Sequence, residues 1–80
     1  MSEHSLDDTV RALAILLADR IEADRPGEPM AEVARIELCA ELADGEQPLY
    51  GQLLAATVVP RQTGTRALYA AALRRQVGVR

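Results

Sequence analysis

Three segments rich in proline and glycine divide this chain and limit what it can fold into. They lie at residues 25–29, 44–48 and 60–65. Proline disfavours a helical conformation at the residue before it, and glycine gives the backbone extra freedom, so each segment predicts a turn. The apolar residues between the turns recur at helical spacing, which predicts four short helices. Each side of residues 44–48 contains only two predicted helices, which are too few for an independent core. This segment is therefore interpreted as a turn within one domain.

The sequence therefore predicts an all-α, four-helix domain that spans residues 1–80 and consists of two helical hairpins. Residues 1–5 are expected to form a flexible tail, and residues 78–80 a frayed end.

The first predicted helix begins at Ser5, because Ser5 to Asp8 has the form of a capping box, and it continues to about Asp24. Its apolar residues form one stripe: Leu6, Val10, Leu13, Leu17 and Ile21. Ile15 and Leu16 lie off this stripe. The helix is therefore either central in the fold or in contact with another chain.

The other three helices are predicted from their starts and stops. The second runs from Pro29 to about Ala43, with Gly45 after it, the third runs from Pro48 to before Pro60, and the fourth from Thr65 or Arg66 to Gln76. The second has two apolar stripes, one through Val33, Ile36 and Ala40, the other through Ala31, Ala34, Leu38 and Leu42. Residues expected to face the core in the last two helices are Leu49, Tyr50, Leu53, Leu54, Thr57 and Val58, then Tyr69, Ala70, Leu73 and Val77.

A domain of 80 residues buries only about 60–65% of the surface of its unfolded chain, so it often depends on additional stabilisation. Cys39 is the only cysteine and His4 the only histidine, which excludes an internal disulfide and gives no ligand spacing for a metal. We expect no cofactor and no metal. A homo-oligomer, such as a homodimer, or another protein partner is expected instead. The N-terminus lacks the form of a signal peptide, so we expect a cytoplasmic protein without membrane contact.

Charge is distributed unevenly along the chain. Residues 1–46 contain all twelve acidic residues and four arginines, a net charge of −8, whereas residues 47–80 contain five arginines and no acid, a net charge of +5. Glu37, Glu41 and Asp44 lie together on the second predicted helix, and we call them the acidic ridge. Three interpretations stay open: the ridge presents acid to a basic partner, arginines of the same chain or a dimer neutralise it, or it is a solvated face. Those arginines are Arg35, Arg61, Arg66, Arg74 and Arg75.

The segment leading into the fourth helix allows an alternative function. Thr63 or Thr65 could cap that helix, and Arg61 and Arg66 flank its free N–H groups, which is typical of a site for phosphate or another anion. The third and fourth helices could also form a helix-turn-helix, with Gln62, Thr63, Thr65, Arg66 and Tyr69 near base edges and Arg74 and Arg75 on phosphate. The long connector and the pI of about 5.0 disfavour DNA binding.

Catalysis has the least support in the sequence. Cys39 lies inside a predicted helix, where a buried and inert thiol is expected, and His4 lies in the tail, so no nucleophile has a neighbouring base. The sequence thus favours a non-enzymatic protein–protein interaction module of bacterial or phage origin: a regulator, adaptor, chaperone or inhibitor. It would act through the acidic ridge or through apolar surface at Ile15 and Leu16. A helix-turn-helix DNA-binding regulator is the alternative.

Overall fold

Four helices form the regular structure of the protein. The computed structural model describes residues 8–59 and 64–78. The helices are α1 (Asp8–Ala23), α2 (Glu32–Ala43), α3 (Gln47–Ala56) and α4 (Arg66–Gln76). Within those ranges the only β-type pairing is one isolated bridge between Pro29 and Thr65. The prediction of an all-α chain with four helices is confirmed, while the predicted Ser5 cap lies outside the described residues.

The central helix is α1, which packs against all three of the others and most extensively against α4. The two helices run antiparallel, since Arg11 near the start of α1 donates to the Val77 carbonyl and Arg66 at the start of α4 donates to the Ile21 carbonyl. Each arginine thereby supplies a donor to carbonyls at the other helix's C-terminal end, where intrahelical donors run out. The apolar surface of α1 on more than one side follows from this central position.

The observed packing does not show the two expected hairpins. The main neighbour of α1 is α4 rather than α2, and the main neighbour of α2 is α3. Side chains, including those of Tyr69 and Gln76, connect α4 to the end of α3. The buried residues of α1 extend from Val10 to Ile21, and those of α4 from Tyr69 to Leu73.

A single hydrophobic core contains residues of all four helices. It comprises Val10, Ala14, Leu17, Ala18, Ile21, Cys39, Ala43, Leu53, Tyr69, Ala70, Leu73 and Val77. The predicted α4 face is fully confirmed. The radius of gyration of 12.0 Å matches the value of about 12 Å expected for a compact chain of this length. Val58 was wrongly predicted to face the core: α3 ends at Ala56, so Val58 no longer follows the helical face and is half exposed.

The start of α2 also differs from the prediction, because Pro29 lies before the helix rather than in its first turn. Residues 24–31 instead fold against the start of α4. The Arg66 and Ala67 amides donate to the carbonyls of Glu28 and Pro26 at 2.8 and 3.0 Å, and the Met30 amide donates to the Gly64 carbonyl at 3.1 Å. These long-range bonds hold the segment in a non-helical path and fix α4 relative to α1.

Candidate protein-interaction surface

The acidic and basic halves of the chain meet between α1 and α4. Arg74 lies 2.7 Å from both Asp19 and Glu22, and Arg66 lies 3.6 Å from Asp24. The hydrogen bonds that Arg74 donates to the two carboxylates raise the pKa of its guanidinium. The arginines of α4 thus neutralise α1 within one chain, and they do not reach the acidic ridge.

The acidic ridge is exposed on α2 and is mostly without partners. Glu41 pairs with Arg20 of α1 at 3.2 Å. Glu37 and Asp44 make no ion pair with any residue in the described ranges. The expected partner Arg35 binds Glu32 instead, and Arg61 lies outside the described residues. None of the predicted arginines within the described residues forms an ion pair with the ridge, namely Arg35, Arg66, Arg74 and Arg75.

The position of these carboxylates is unfavourable in the free protein. Asp44 follows the last residue of α2 in a left-handed conformation, with φ of 54°, and the last turn of α2 contains no basic residue. A negative charge at a helix C-terminus opposes the helix dipole, at a cost of about 0.3–1 kcal/mol before solvent screening. Glu37 and Glu41 are four residues apart, a spacing that adds a few tenths of a kcal/mol of repulsion when unrelieved. Arg20 already offsets part of this repulsion through its ion pair with Glu41. A cation bound near Glu37 and Asp44 would remove the rest.

Apolar side chains lie exposed beside the ridge. Val33 and Ile36 are 60% and 37% exposed, Ala40 is also exposed, and their helical spacing places them on one line along α2. We call these three residues the apolar strip. At its C-terminal end lies a groove of about 150 Å³, here the Tyr50 groove, which is lined by Ala40, Ala43, Gly45, Glu46, Gln47 and Tyr50. The outward face of α2 thus combines apolar surface with unpaired carboxylates.

The expected apolar surface on α1 is smaller than predicted. Ile15 is half-buried and packs against the core, while Leu16 is 42% exposed. A single exposed leucine on a helix is ordinary for a protein surface and marks no patch. The structure does not place Ile15 and Leu16 together with the acidic ridge on α2.

A polar cleft of about 370 Å³ separates α1 from α2. Its lining is Arg20, Asp24, Arg25, Ala34, Glu37, Leu38, Glu41 and Arg66. All three arginines are in ion pairs: Arg20 with Glu41, and Arg25 and Arg66 with Asp24. Glu37 is the one charged lining residue without such a partner among the described residues. The cleft therefore adds no unpaired positive charge for an anion.

The N-terminus of α4 has no free N–H group for the predicted anion site. The Arg66 and Ala67 amides donate to the loop before α2, as described above. The Leu68 amide donates to the Thr65 side-chain oxygen at 3.2 Å, and the Tyr69 amide donates to the Thr65 carbonyl at 2.9 Å. Thr65 is thus the helix cap that the sequence predicted. Arg61, Gln62 and Thr63 lie outside the described residues.

The geometry of α4 does not favour the helix-turn-helix alternative. Tyr69 is buried, and its hydroxyl donates to the Thr57 carbonyl at 2.6 Å, so it faces the core. Arg66 and Arg74 are ion-paired, as described above. Arg75 is exposed and is the one arginine of α4 that makes no ion pair within the described ranges.

A buried polar network centred on Arg35 and Thr57 joins α2, the end of α3 and α4. Arg35 is 8% exposed and donates from Nη1 to the Leu54 carbonyl at 2.7 Å and to Thr57 Oγ1 at 2.9 Å. Its hydrogen bond with Glu32 raises the pKa of the guanidinium and lowers that of the carboxyl. The network closes the C-terminal end of α3, whose last carbonyls have no intrahelical donors.

The sequence prediction missed this role of Arg35, although the spacing of Glu32, Arg35 and Cys39 on one helix face was a usable signal. Cys39 is buried, as predicted, and its Sγ lies 3.5 Å from Thr57 Oγ1. Burial raises the pKa of the Cys39 thiol, which disfavours the thiolate that nucleophilic chemistry requires. The network thus serves the fold.

No candidate metal site and no membrane-spanning helix is found among the described residues. Across residues 8–59 and 64–78, no three histidine, cysteine or acidic side chains are grouped so that they could hold a metal ion. The helices in these ranges are all too short or too polar to cross a membrane. Comparison of the chain with known protein families, with curated proteins and with solved structures found no match.

Proposed function

We propose that this protein is a small, non-enzymatic protein–protein interaction module, a regulator, adaptor, chaperone or inhibitor, that binds its partner through the outward face of α2. The observation that carries the proposal is the coincidence, on one helix, of the unpaired carboxylates Glu37 and Asp44 with the exposed apolar strip. Elsewhere in the described residues, most acidic side chains have an arginine within 4 Å.

Both parts of this surface support binding rather than folding. The carboxylates of the ridge stand where they cost stability in the free protein, and the valine and isoleucine expose apolar area that burial would favour. Interaction sites commonly combine an apolar centre with a polar rim. Leu16 on α1, the exposed one of the two other predicted contacts, is a single apolar side chain and has no part in the proposed surface.

Site-specific photo-crosslinking in cells of the source organism tests the proposal. A photoreactive phenylalanine analogue replaces Val33 of the apolar strip, and a matched control variant carries it at the exposed Ala12 of α1. We expect a discrete protein adduct from position 33 and none from position 12. Equal labelling from both positions, or no adduct from position 33, would contradict binding through α2.

A further inference from the structure

We infer that the partner of the α2 face is a basic amphipathic helix of another protein, an inference that rests on the function proposed above. The apolar strip and the acidic ridge run side by side along α2 from Val33 to Asp44. A ligand that covers both must present an apolar stripe flanked by positive charge. Helices that lie in a shallow groove bind in this way, through anchors at helical spacing.

The dimensions of the surface agree with a helical occupant. Val33 and Ala40 are seven residues apart, so the apolar strip is about 10 Å long, which corresponds to about two turns of a helix lying alongside. The Tyr50 groove continues the strip at about 150 Å³, which is below the range of about 300–1,000 Å³ typical of small-molecule pockets. The Tyr50 groove is large enough for one apolar anchor side chain, and Ala40, Ala43 and Tyr50 form its apolar lining.

The unpaired carboxylates indicate that the partner carries positive charge. Glu37 lies on α2 and Asp44 follows seven residues later at its C-terminal cap, a separation of about 10 Å along the axis, or about two turns of an adjacent helix. Arginine or lysine at those positions would form the ion pairs that no residue in the described part of this chain supplies. Glu46 adds a further carboxylate at the rim of the Tyr50 groove.

The same charges disfavour a second copy of this chain as the occupant. In a twofold dimer through α2, a surface meets its own copy, so Glu37 and Asp44 would lie near carboxylates of the other subunit. Like charges brought together at an interface are unfavourable and suppress that pairing. On α4, only Arg75 among the described residues is a cation without an ion pair, which is too little for a complementary basic face.

A synthetic peptide provides the test. The probe is a labelled helical peptide of about four turns, with leucines on one face and arginines beside them, and its binding is measured by fluorescence anisotropy at low salt. The matched probe replaces each arginine by citrulline, which keeps the shape and removes the charge. Amide chemical shifts in a ¹H–¹⁵N spectrum of the protein locate the contact.

We expect the arginine peptide to bind more tightly than the citrulline peptide and to shift amides of α2 and of the Tyr50 groove. Glu37→Gln and Asp44→Asn should each weaken binding about 1.5- to 5-fold, the range for partly exposed ion pairs. Ile36→Ser should weaken it about 5-fold or more through the apolar strip. Asp8→Asn, which changes the net charge equally at an exposed residue of α1, should leave the affinity unchanged.

Equal affinity of the two peptides, or equal weakening by Asp8→Asn and Glu37→Gln, would overturn the basic-helix inference. A photo-crosslink from position 33 to a second copy of this chain, or to a partner segment without basic residues, would also overturn it. The crosslink to a partner segment without basic residues would leave partner binding through α2 intact. If position 33 captures nothing and no peptide binds, both the proposed function and this inference fail.

Discussion

Replacement of Tyr69 by phenylalanine removes one atom from the buried polar network and tests whether that network holds the fold. The Tyr69 hydroxyl donates to the Thr57 carbonyl at 2.6 Å, and both residues are buried. Phenylalanine fills the same space, so the change creates no large cavity. The Thr57 carbonyl then stays buried without its hydrogen-bond donor, which lowers the free energy of unfolding by about 1–3 kcal/mol.

That loss is large for this protein. A domain of this length is typically stable by about 4–12 kcal/mol, and each kcal/mol lost lowers the midpoint of thermal unfolding by about 4–8 °C. Urea unfolding followed by far-ultraviolet circular dichroism measures the change, and we expect the slope of free energy against urea to stay constant, because the surface exposed on unfolding is the same.

Tyr50 provides the matched control. It is half-buried, and its hydroxyl makes no hydrogen bond within the described residues. Tyr50→Phe should therefore keep the free energy of unfolding within about 0.5 kcal/mol of the original protein. The reasoning is refuted if Tyr69→Phe is as mild as Tyr50→Phe, since the Thr57 carbonyl would then not depend on this donor.

Three further predictions concern the same network and the connection to α4. Arg35→Met should lower the free energy of unfolding by about 1–3 kcal/mol in urea, because the Leu54 carbonyl loses its charged donor; an unchanged midpoint would contradict this. Gly64→Ala should destabilise by about 1–3 kcal/mol, because Gly64 has φ of 125°, a conformation that residues with a Cβ rarely adopt, and a thermal melt equal to that of the parent would count against it. Burial raises the pKa of Tyr69 to about 12, from an ordinary value of about 10. Between those pH values the unfolded chain loses the phenolic proton and the native protein keeps it, so stability should fall with rising pH, and less steeply in Tyr69→Phe.

Local patterns in the sequence were sufficient for the helices that pack along their whole length. The α4 stripe of Tyr69, Ala70, Leu73 and Val77 is buried as predicted, and its start at Arg66 after Thr65 is correct. Helical spacing and a threonine cap are both encoded within a few residues, so they can be read without the fold.

Features that depend on distant parts of the chain were not predictable in this way. Pro29 is an acceptable first residue for a helix, but the loop that contains it binds the Gly64 to Ala67 backbone, 34 residues later in the chain for the Met30 to Gly64 pair. The burial of Arg35 likewise depends on acceptors at Leu54 and Thr57, in another helix and its C-terminal cap. The pairing of α1 with α4 likewise depends on contacts between distant parts of the chain. Loop length alone would favour pairing of helices that are neighbours in sequence.

The acidic ridge itself was visible in the sequence, whereas the lack of partners for Glu37 and Asp44 was not. Spacing alone places Glu37 and Glu41 on one side of α2, with Asp44 at its C-terminal end. Which arginines reach them depends on the packing of α4 on α1, which directs Arg66 and Arg74 toward Asp24, Asp19 and Glu22.

The central claim is that Asp19 and Glu22 of α1 hold the fold, whereas Glu37 of α2 and Asp44 at its C-terminal end serve a partner. Unfolding free energies of two double variants test it most directly. Each variant removes two negative charges: Asp19→Asn with Glu22→Gln on α1, and Glu37→Gln with Asp44→Asn on α2. The α1 variant should lose about 0.5–2 kcal/mol with its two ion pairs to Arg74. The α2 variant should be as stable as the original protein or gain up to about 1 kcal/mol, because repulsion and an unfavourable dipole contact are relieved. A loss of stability in the α2 variant equal to that in the α1 variant would contradict the claim.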